Sequence, residues 1–439
     1  MKKVALIVIL AAIISGIGFW WYISIYTKSQ TPKEVTLTVW GLWDEEAIIN
    51  PVLEAYQKSY PNVKISYVKQ STLNYYPRLI TQLRSGFGPD IFTIHNSWLP
   101  MMISDLVAAP SSVVSFNDFS KAFYPMAKES LTAQNKVYGL PMEVDGLVMY
   151  YNEEILRGVN ASVPGDWREF AEVAKKVTVV SQEGQIQTAG AAMGATNNVD
   201  FWPEIIGLLY FQQPNADIAS PNQGKGPEVI QFYTDFITDP RKKTWDSTLP
   251  TSTKMFTEGK LAFYFAPARI AQEIKTSNPN LQFKVAPVPQ LPAVPGVAEK
   301  KIVLGGFWAQ AVSARSASSE EAWKFVKYLT TPQVLQVLYQ QHLQARGLGR
   351  PFPRVEMASL ISSHPIFGPV VTQAPYYKSW YLNSTTGDGG INDKIIDHFK
   401  GAIDGVLAGQ EPKAMLYTTS VGINRVLNSY TPQPTPVKK

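Results

Sequence analysis

Cysteine is absent from all 439 residues, which excludes disulfides, thiolate metal sites and a cysteine nucleophile. The same absence leaves no N-terminal cysteine to carry a lipid anchor. Histidine is scarce, and His95, His342, His364 and His398 show no metal-ligand spacing, so neither a metal nor a cofactor is expected. Charged residues make up only 17%, with a net charge of +5. Lys2, Lys3 and Lys28 supply part of that excess before the body of the chain begins, and no run of Lys and Arg follows. A nucleic-acid groove would need such a run, so nucleic acid is excluded as a partner. Phosphate-loop and Gly-x-Ser-x-Gly patterns are also missing. Asp388-Gly389-Gly390-Ile391-Asn392-Asp393 opens like a calcium loop but lacks its closing glutamate, and reads as a turn.

What is present is a globular composition, 45% hydrophobic, in a chain that suits two lobes of roughly 150 to 200 residues each. Before them, Val4 to Tyr26 runs without a charge; as a helix rising ~1.5 Å per residue it would cross a bilayer. The run ends Phe19-Trp20-Trp21-Tyr22-Ile23-Ser24-Ile25-Tyr26, an aromatic belt where a cleavable signal would show small residues. Residues 1–30 are therefore expected to be an uncleaved, single-pass transmembrane signal anchor, followed by a linker at 31–34. The flanking lysines are nearly tied, and the large body after a first short span makes export the default. Residues 431–439 form a proline-rich polar tail.

From Val35 the hydrophobic pattern alternates. Strand periodicity at Val35, Leu37 and Val39 gives way to a helical stripe at Val52, Leu53 and Tyr56, then to a strand at Val63, Ile65 and Tyr67. A helix at Tyr76, Leu79, Ile80 and Leu83 and a strand at Ile91, Phe92 and Ile94 complete a βαβαβ pattern, which implies a parallel sheet covered on both faces. Asn50-Pro51 suits the start of the first helix, and Gly86 the end of the second. A second α/β stretch opens at Leu147 to Tyr151, with a capping box at Asp166 and Glu169. Ser318 and Glu321 would cap a later helix, Thr331-Pro332 starts another, and Asn392 to Leu407 forms one closed by Gly409.

Several ordered segments carry a resemblance: Val35 to Trp40, Gly88-Pro89-Asp90-Ile91 with Trp98 behind it, and Tyr138-Gly139-Leu140-Pro141 leading to Asp145 and Tyr151-Asn152. Phe256 to Ala262, Gly305-Gly306-Phe307-Trp308, Ala322 to Phe325 and Gly409-Gln410-Glu411-Pro412 follow in order. Together they resemble the family 1 extracellular solute-binding proteins, the maltose-binding-protein-like components of ABC importers. The resemblance implies an α/β, periplasmic-binding-protein-like (type II) fold: two lobes, a hinge and an interlobe cleft. It implies an N-lobe of 35–143 plus 310–360 and a C-lobe of 144–309 plus 361–430. It also implies an extracytoplasmic receptor that hands a carbohydrate, a mono- or oligosaccharide, to ABC permease subunits; the chain is expected to be a monomer held at the cell membrane by its N-terminal helix.

Open α/β sheets bind ligands at the carboxyl ends of strands, which directs attention to Trp40 to Asp44, His95 to Trp98 and Glu143 to Asp145. A sugar offers C–H faces to aromatic rings and hydroxyls to polar groups. Trp43, Trp98, Trp202, Trp308 and Trp380 supply the rings, and Asp44, Asn96, Asp145 and Arg269 the polar partners. Trp202 suits a core equally well, and Trp323 beside an apolar helical stripe is structural. Asp145 aligns with a family position that usually carries an acid touching ligand. Arg269 looks to occupy the slot of a stacking tryptophan in the family's maltose-binding member. It could clamp a carboxylate or phosphate or serve a structural ion pair, so a polyamine, an organic anion or glycerol phosphate stays open as the alternative ligand. Asp44, Glu143 and Asp145 could in principle serve a glycoside-acting enzyme, but carboxylates in sugar sites usually accept hydroxyl hydrogen bonds, and no enzyme is expected.

Overall fold

The computed structural model describes residues 14–22 and 34–430. The expected membrane span lies largely outside them. Residues 14–22 are helical, with Phe19, Trp20, Trp21 and Tyr22 all exposed, and among the described residues no helix is long and apolar enough to cross a membrane.

The βαβαβ pattern folds as its periodicity dictates. Strand Val35–Gly41 lies at the inner position of a parallel trio, paired with Val63–Lys69 along its whole length and with Ile91–His95 at Val39 and Trp40. Helix Glu46–Ser59 buries Ile48, Ile49, Val52, Leu53 and Tyr56, and helix Tyr75–Ser85 buries Tyr75, Leu79 and Leu83. Gly86 ends the latter with φ of 84°, its N–H and that of Phe87 donating to Leu83 and Gln82 carbonyls, a left-handed stop that suits glycine. The first helix corrects one expectation. It begins at Glu46, so Pro51 lies inside it, and its ring leaves the Ala47 carbonyl without the usual helical N–H.

The first sheet is completed from far along the chain. Strand Trp308–Val312 runs antiparallel to Ile91–His95, with Trp308 opposite His95, and pairs on its other side with Leu140–Pro141. The second sheet runs in the order Tyr377–Lys378, Val303–Gly306, Asp145–Asn152, Leu261–Pro267, Ile186–Ala191 and Val179–Val180. Strand Phe283–Ala286 also pairs with Asp145–Asn152. The first lobe thus takes strands from 35–141 and 308–312, and the second from 145–306 and 377–378.

The chain passes between the sheets at Met142 to Val144 and again at Phe307, where a single residue separates the two strands. The hinge is tight because glycine lines it. A Cβ on Gly146 would meet the Tyr377 ring at 2.6 Å, and one on Gly306 would meet Asn383 Oδ1 at 2.6 Å. Caps agree in part with expectation. Asp166 Oδ1 accepts from the N–H groups of Arg168 and Glu169, while the Glu169 carboxylate reaches the Gly165 N–H instead of the cap residue. Ser318 makes no side-chain cap bond. Asp388 folds as a turn, accepting from Gly390 N–H and the Asn392 side chain.

Candidate functional site

Between the lobes lies a chamber of about 230 Å³, lined from the first lobe by Trp43, Trp308, His342, Arg346 and Arg350, and from the second by Arg269, Gln272, Phe367 and Thr385. Glu143 and Asp145, at the first crossover, stand on its floor. A recess of about 40 Å³ adjoins it, bounded by His95, Asp145, Glu204, Asn383 and Arg269.

Trp43 follows the first strand, and Trp308 opens the antiparallel one. Their rings meet edge to face with centroids 5.3 Å apart. Trp98, fully buried, packs edge to face beneath Trp308 at 5.3 Å and touches Tyr75, Tyr76 and His95. It supports the wall without reaching it, which corrects the expectation that it faces ligand. Asn96 is also buried: its Oδ1 accepts the Phe307 N–H at 3.0 Å, and its Nδ2 donates to Ser379 Oγ at 2.8 Å. Its amide holds the hinge. Trp202 lies in the core at the start of helix Trp202–Gln212, and Trp380, partly buried against Tyr381, is not on the chamber wall.

Asp44 belongs to an ionic knot. Arg350 Nη2 lies 2.7 Å from its Oδ1, and His342 Nε2 3.1 Å away, while Arg350 Nε reaches Glu143 Oε2 at 3.5 Å. Burial pushes the Asp44 carboxyl up, but Arg350 and the His342 hydrogen bond outweigh it and hold the group at about 2. Burial pulls His342 down against the opposing pull of Asp44. A carboxylate so engaged is a brace for the wall, not the open acceptor expected.

Asp145 does face the chamber. Its Oδ1 accepts from Gly146 N–H at 2.8 Å and Ala268 N–H at 3.0 Å, and its Oδ2 from Arg269 N–H at 3.4 Å. Burial raises it to about 6 against the nearby Arg269 charge. Glu204, in the first turn of its helix, accepts from both the N–H and the hydroxyl of Ser384 at 2.7 Å. Its second oxygen is buried without a partner, and burial lifts the carboxyl to about 7. His95 is driven by burial, and then by Arg269, to about 3, so it is neutral at the recess.

The chamber thus brings together Trp43, Trp308, Asp145 and Arg269, with Asp44 just behind the wall. It adds His342, Arg346, Arg350 and Thr385, and the adjoining recess adds Glu204, all of which sequence reasoning missed. The signal available was Arg346-Gly347-Leu348-Gly349-Arg350, where Gly347 at φ of 72° ends helix Pro332–Arg346 and turns two guanidinium groups toward the hinge.

A larger hollow of about 630 Å³ opens on the outer face of the second lobe, floored by Trp167, Leu209 and Phe232. Its central amide, Gln212, is spent: Oε1 accepts from Trp167 Nε1, and Nε2 donates to the Pro289 and Ile302 carbonyls. The hollow also carries charged side chains, among them Arg168, Glu172 and Lys175, but all of its lining comes from one lobe, whereas the chamber is lined from both.

Residues 43–336 match the family profile of the bacterial extracellular solute-binding proteins. The chain belongs to this family. A maltotriose-binding protein of Pyrococcus abyssi is 24% identical over 67% of this chain, an alignment spanning 62% of that relative's length. A maltooligosaccharide ABC transporter solute-binding lipoprotein of Streptococcus pneumoniae is 25% identical, covering 71% of this chain and 72% of its own. Among solved structures, a cyclo/maltodextrin-binding protein complexed with maltotetraose superposes with a TM-score of 0.71 at 18% identity, covering 92% of this chain and all of that one. The cyclic alpha-maltosyl-1,6-maltose binding protein from Arthrobacter globiformis gives 0.72 at 16% identity, over 90% of this solute-binding protein and 100% of that chain. These likenesses show a shared two-lobed fold.

Proposed function

We propose that this solute-binding protein is an extracytoplasmic receptor that captures a short carbohydrate between its lobes and delivers it to an ABC-type importer. The observation that carries this reading is the interlobe chamber, where the Trp43–Trp308 pair on one lobe faces Arg269, Gln272 and Thr385 on the other. Rings suit the C–H faces of a sugar, and the polar side chains suit its hydroxyls. The volume of about 230 Å³ is below the ~300 Å³ at which drug-sized pockets begin, which favours a short saccharide. The names of the pneumococcal and Pyrococcus relatives favour the same ligand class.

The receptor works by closure. A ligand touching both walls binds the closed form better than the open one, and that difference shifts the population of closed molecules. No bond is made or broken, and no cofactor takes part: Asp44 and Glu143 are tied to Arg350, and Asp145 to backbone N–H groups. The lobes comprise 35–143 with 310–360, and 144–309 with 361–430. The monomer is held at the membrane by the apolar segment Val4 to Tyr26, whose length and terminal aromatics support an uncleaved anchor.

A thermal-shift screen of the full-length protein in detergent, against mono- and oligosaccharides, tests this reading. A ligand at 100 times its Kd adds about 2.7 kcal/mol, and the sugar should be recovered intact. Turnover of the sugar would sink the receptor reading.

A further inference from the structure

Three guanidinium groups line the chamber, and among the described residues only one makes an ion pair. Arg350 is tied to Asp44 and Glu143. Arg346 donates from Nη2 to the Trp43 carbonyl at 2.5 Å, and Arg269 reaches only Thr385 Oγ1, at 3.4 Å. Among the described residues neither makes an ion pair. The neighbouring carboxylates are bonded elsewhere: Asp44 by Arg350 and His342, Glu143 by Arg350, Asp145 by three backbone N–H groups, and one oxygen of Glu204 by Ser384. A guanidinium carries five donors and no acceptor, so both have donors to spare.

The two come from opposite lobes. Arg346 ends helix Pro332–Arg346, which packs on the first-lobe helix Glu46–Ser59; Arg269 follows strand Leu261–Pro267 of the second sheet. Both line the same chamber as the Trp43–Trp308 pair. Planar guanidinium groups recognise carboxylate and phosphate through paired hydrogen bonds.

We propose that the ligand of this cleft is an acidic saccharide, a uronic acid or a phosphorylated sugar, whose anionic group is held between Arg269 and Arg346. The proposal rests on the carbohydrate-receptor reading and narrows it. The ring stacks on the tryptophan wall, and the anion draws the second lobe onto the first. Because each arginine belongs to a different lobe, the charge contributes most when the cleft is shut, and so drives closure as well as affinity.

The test is calorimetric titration of the full-length protein with glucuronate, galacturonate and glucose 6-phosphate, set against glucose, galactose, maltotriose and inorganic phosphate. An acidic sugar should bind at least tenfold tighter than its neutral counterpart and weaken toward about 1 M salt. Uronates and glucose 6-phosphate separate a carboxylate ligand from a phosphate one. Arg346→Gln and Arg269→Gln should each cost the acidic sugar about tenfold or more, with the ligand-free melting temperature unchanged for Arg269→Gln. Neutral sugars binding as tightly, with affinity indifferent to both variants, would overturn the proposal and leave the carbohydrate receptor standing. Inorganic phosphate binding as tightly as glucose 6-phosphate would overturn the saccharide half. No binding by any sugar would overturn this proposal and the receptor reading together.

Discussion

Arg350 lies 2.7 Å from Asp44, bringing the loop after a late helix onto the loop after the first strand. The same side chain reaches Glu143 at the crossover, so one guanidinium joins three distant segments beside the cleft. Removing one partner of such a largely buried knot leaves its charges uncompensated. Arg350→Met should therefore cost about 3 kcal/mol, read as a lowered midpoint in urea denaturation.

Acid should dissolve that knot from the other side. Asp44 titrates at about 2 in the folded protein against an ordinary 3.8, so its contribution is complete above pH 4 and is lost as pH falls through 2. Its size is about 2 kcal/mol. Asp44→Asn should flatten the stability profile between pH 4 and pH 2, measured by denaturation at fixed ionic strength.

Glu204 should act with the opposite sign. Its folded value of about 7 lies above the ordinary 4.5, so the native state holds the proton more tightly and stability falls as pH rises through this window. Glu204→Gln keeps an oxygen for Ser384 and cannot ionise. The variant should gain on the parent from pH 5 upward, by about 3 kcal/mol at pH 8. A parallel profile for the two proteins would contradict the buried, lone oxygen.

The tryptophans should separate by layer. Trp43→Ala should weaken saccharide binding tenfold or more with a modest change in melting temperature, because its ring is only half-buried. Trp98→Ala should cost about 3 to 5 kcal/mol of stability. Trp308→Ala should do both, since its ring touches Trp43 on one side and Trp98 on the other.

The fold was legible because burial leaves a period. Val35, Leu37 and Val39 alternate and Val52, Leu53 and Tyr56 stack, whatever lies elsewhere in the chain. Attention to strand ends and the first crossover brought Trp43 and Asp145 into view, and the resemblance brought Trp308 and Arg269. Trp98 and Trp202 went astray because a wall tryptophan and the one packed behind it carry the same letter; depth is a property of the assembled sheet. Arg346, Arg350 and Glu204 were invisible for the converse reason. The Arg346-to-Arg350 stretch marks a turn but not the partners that other segments supply, and Glu204 meets Ser384 only once both flanks of the second lobe are built. Asn50-Pro51 was misplaced because a proline inside a helix looks like one that starts it.

Strand Trp308–Val312 sits between Ile91–His95 and Leu140–Pro141 in the first sheet. Those two strands are made early on the ribosome, yet they cannot be joined until residue 312 has emerged. Through most of its synthesis the leading half of the chain therefore holds two strand edges that lack this partner. The first sheet thus closes only after strands Asp145–Asn152 and Leu261–Pro267 of the second have been made.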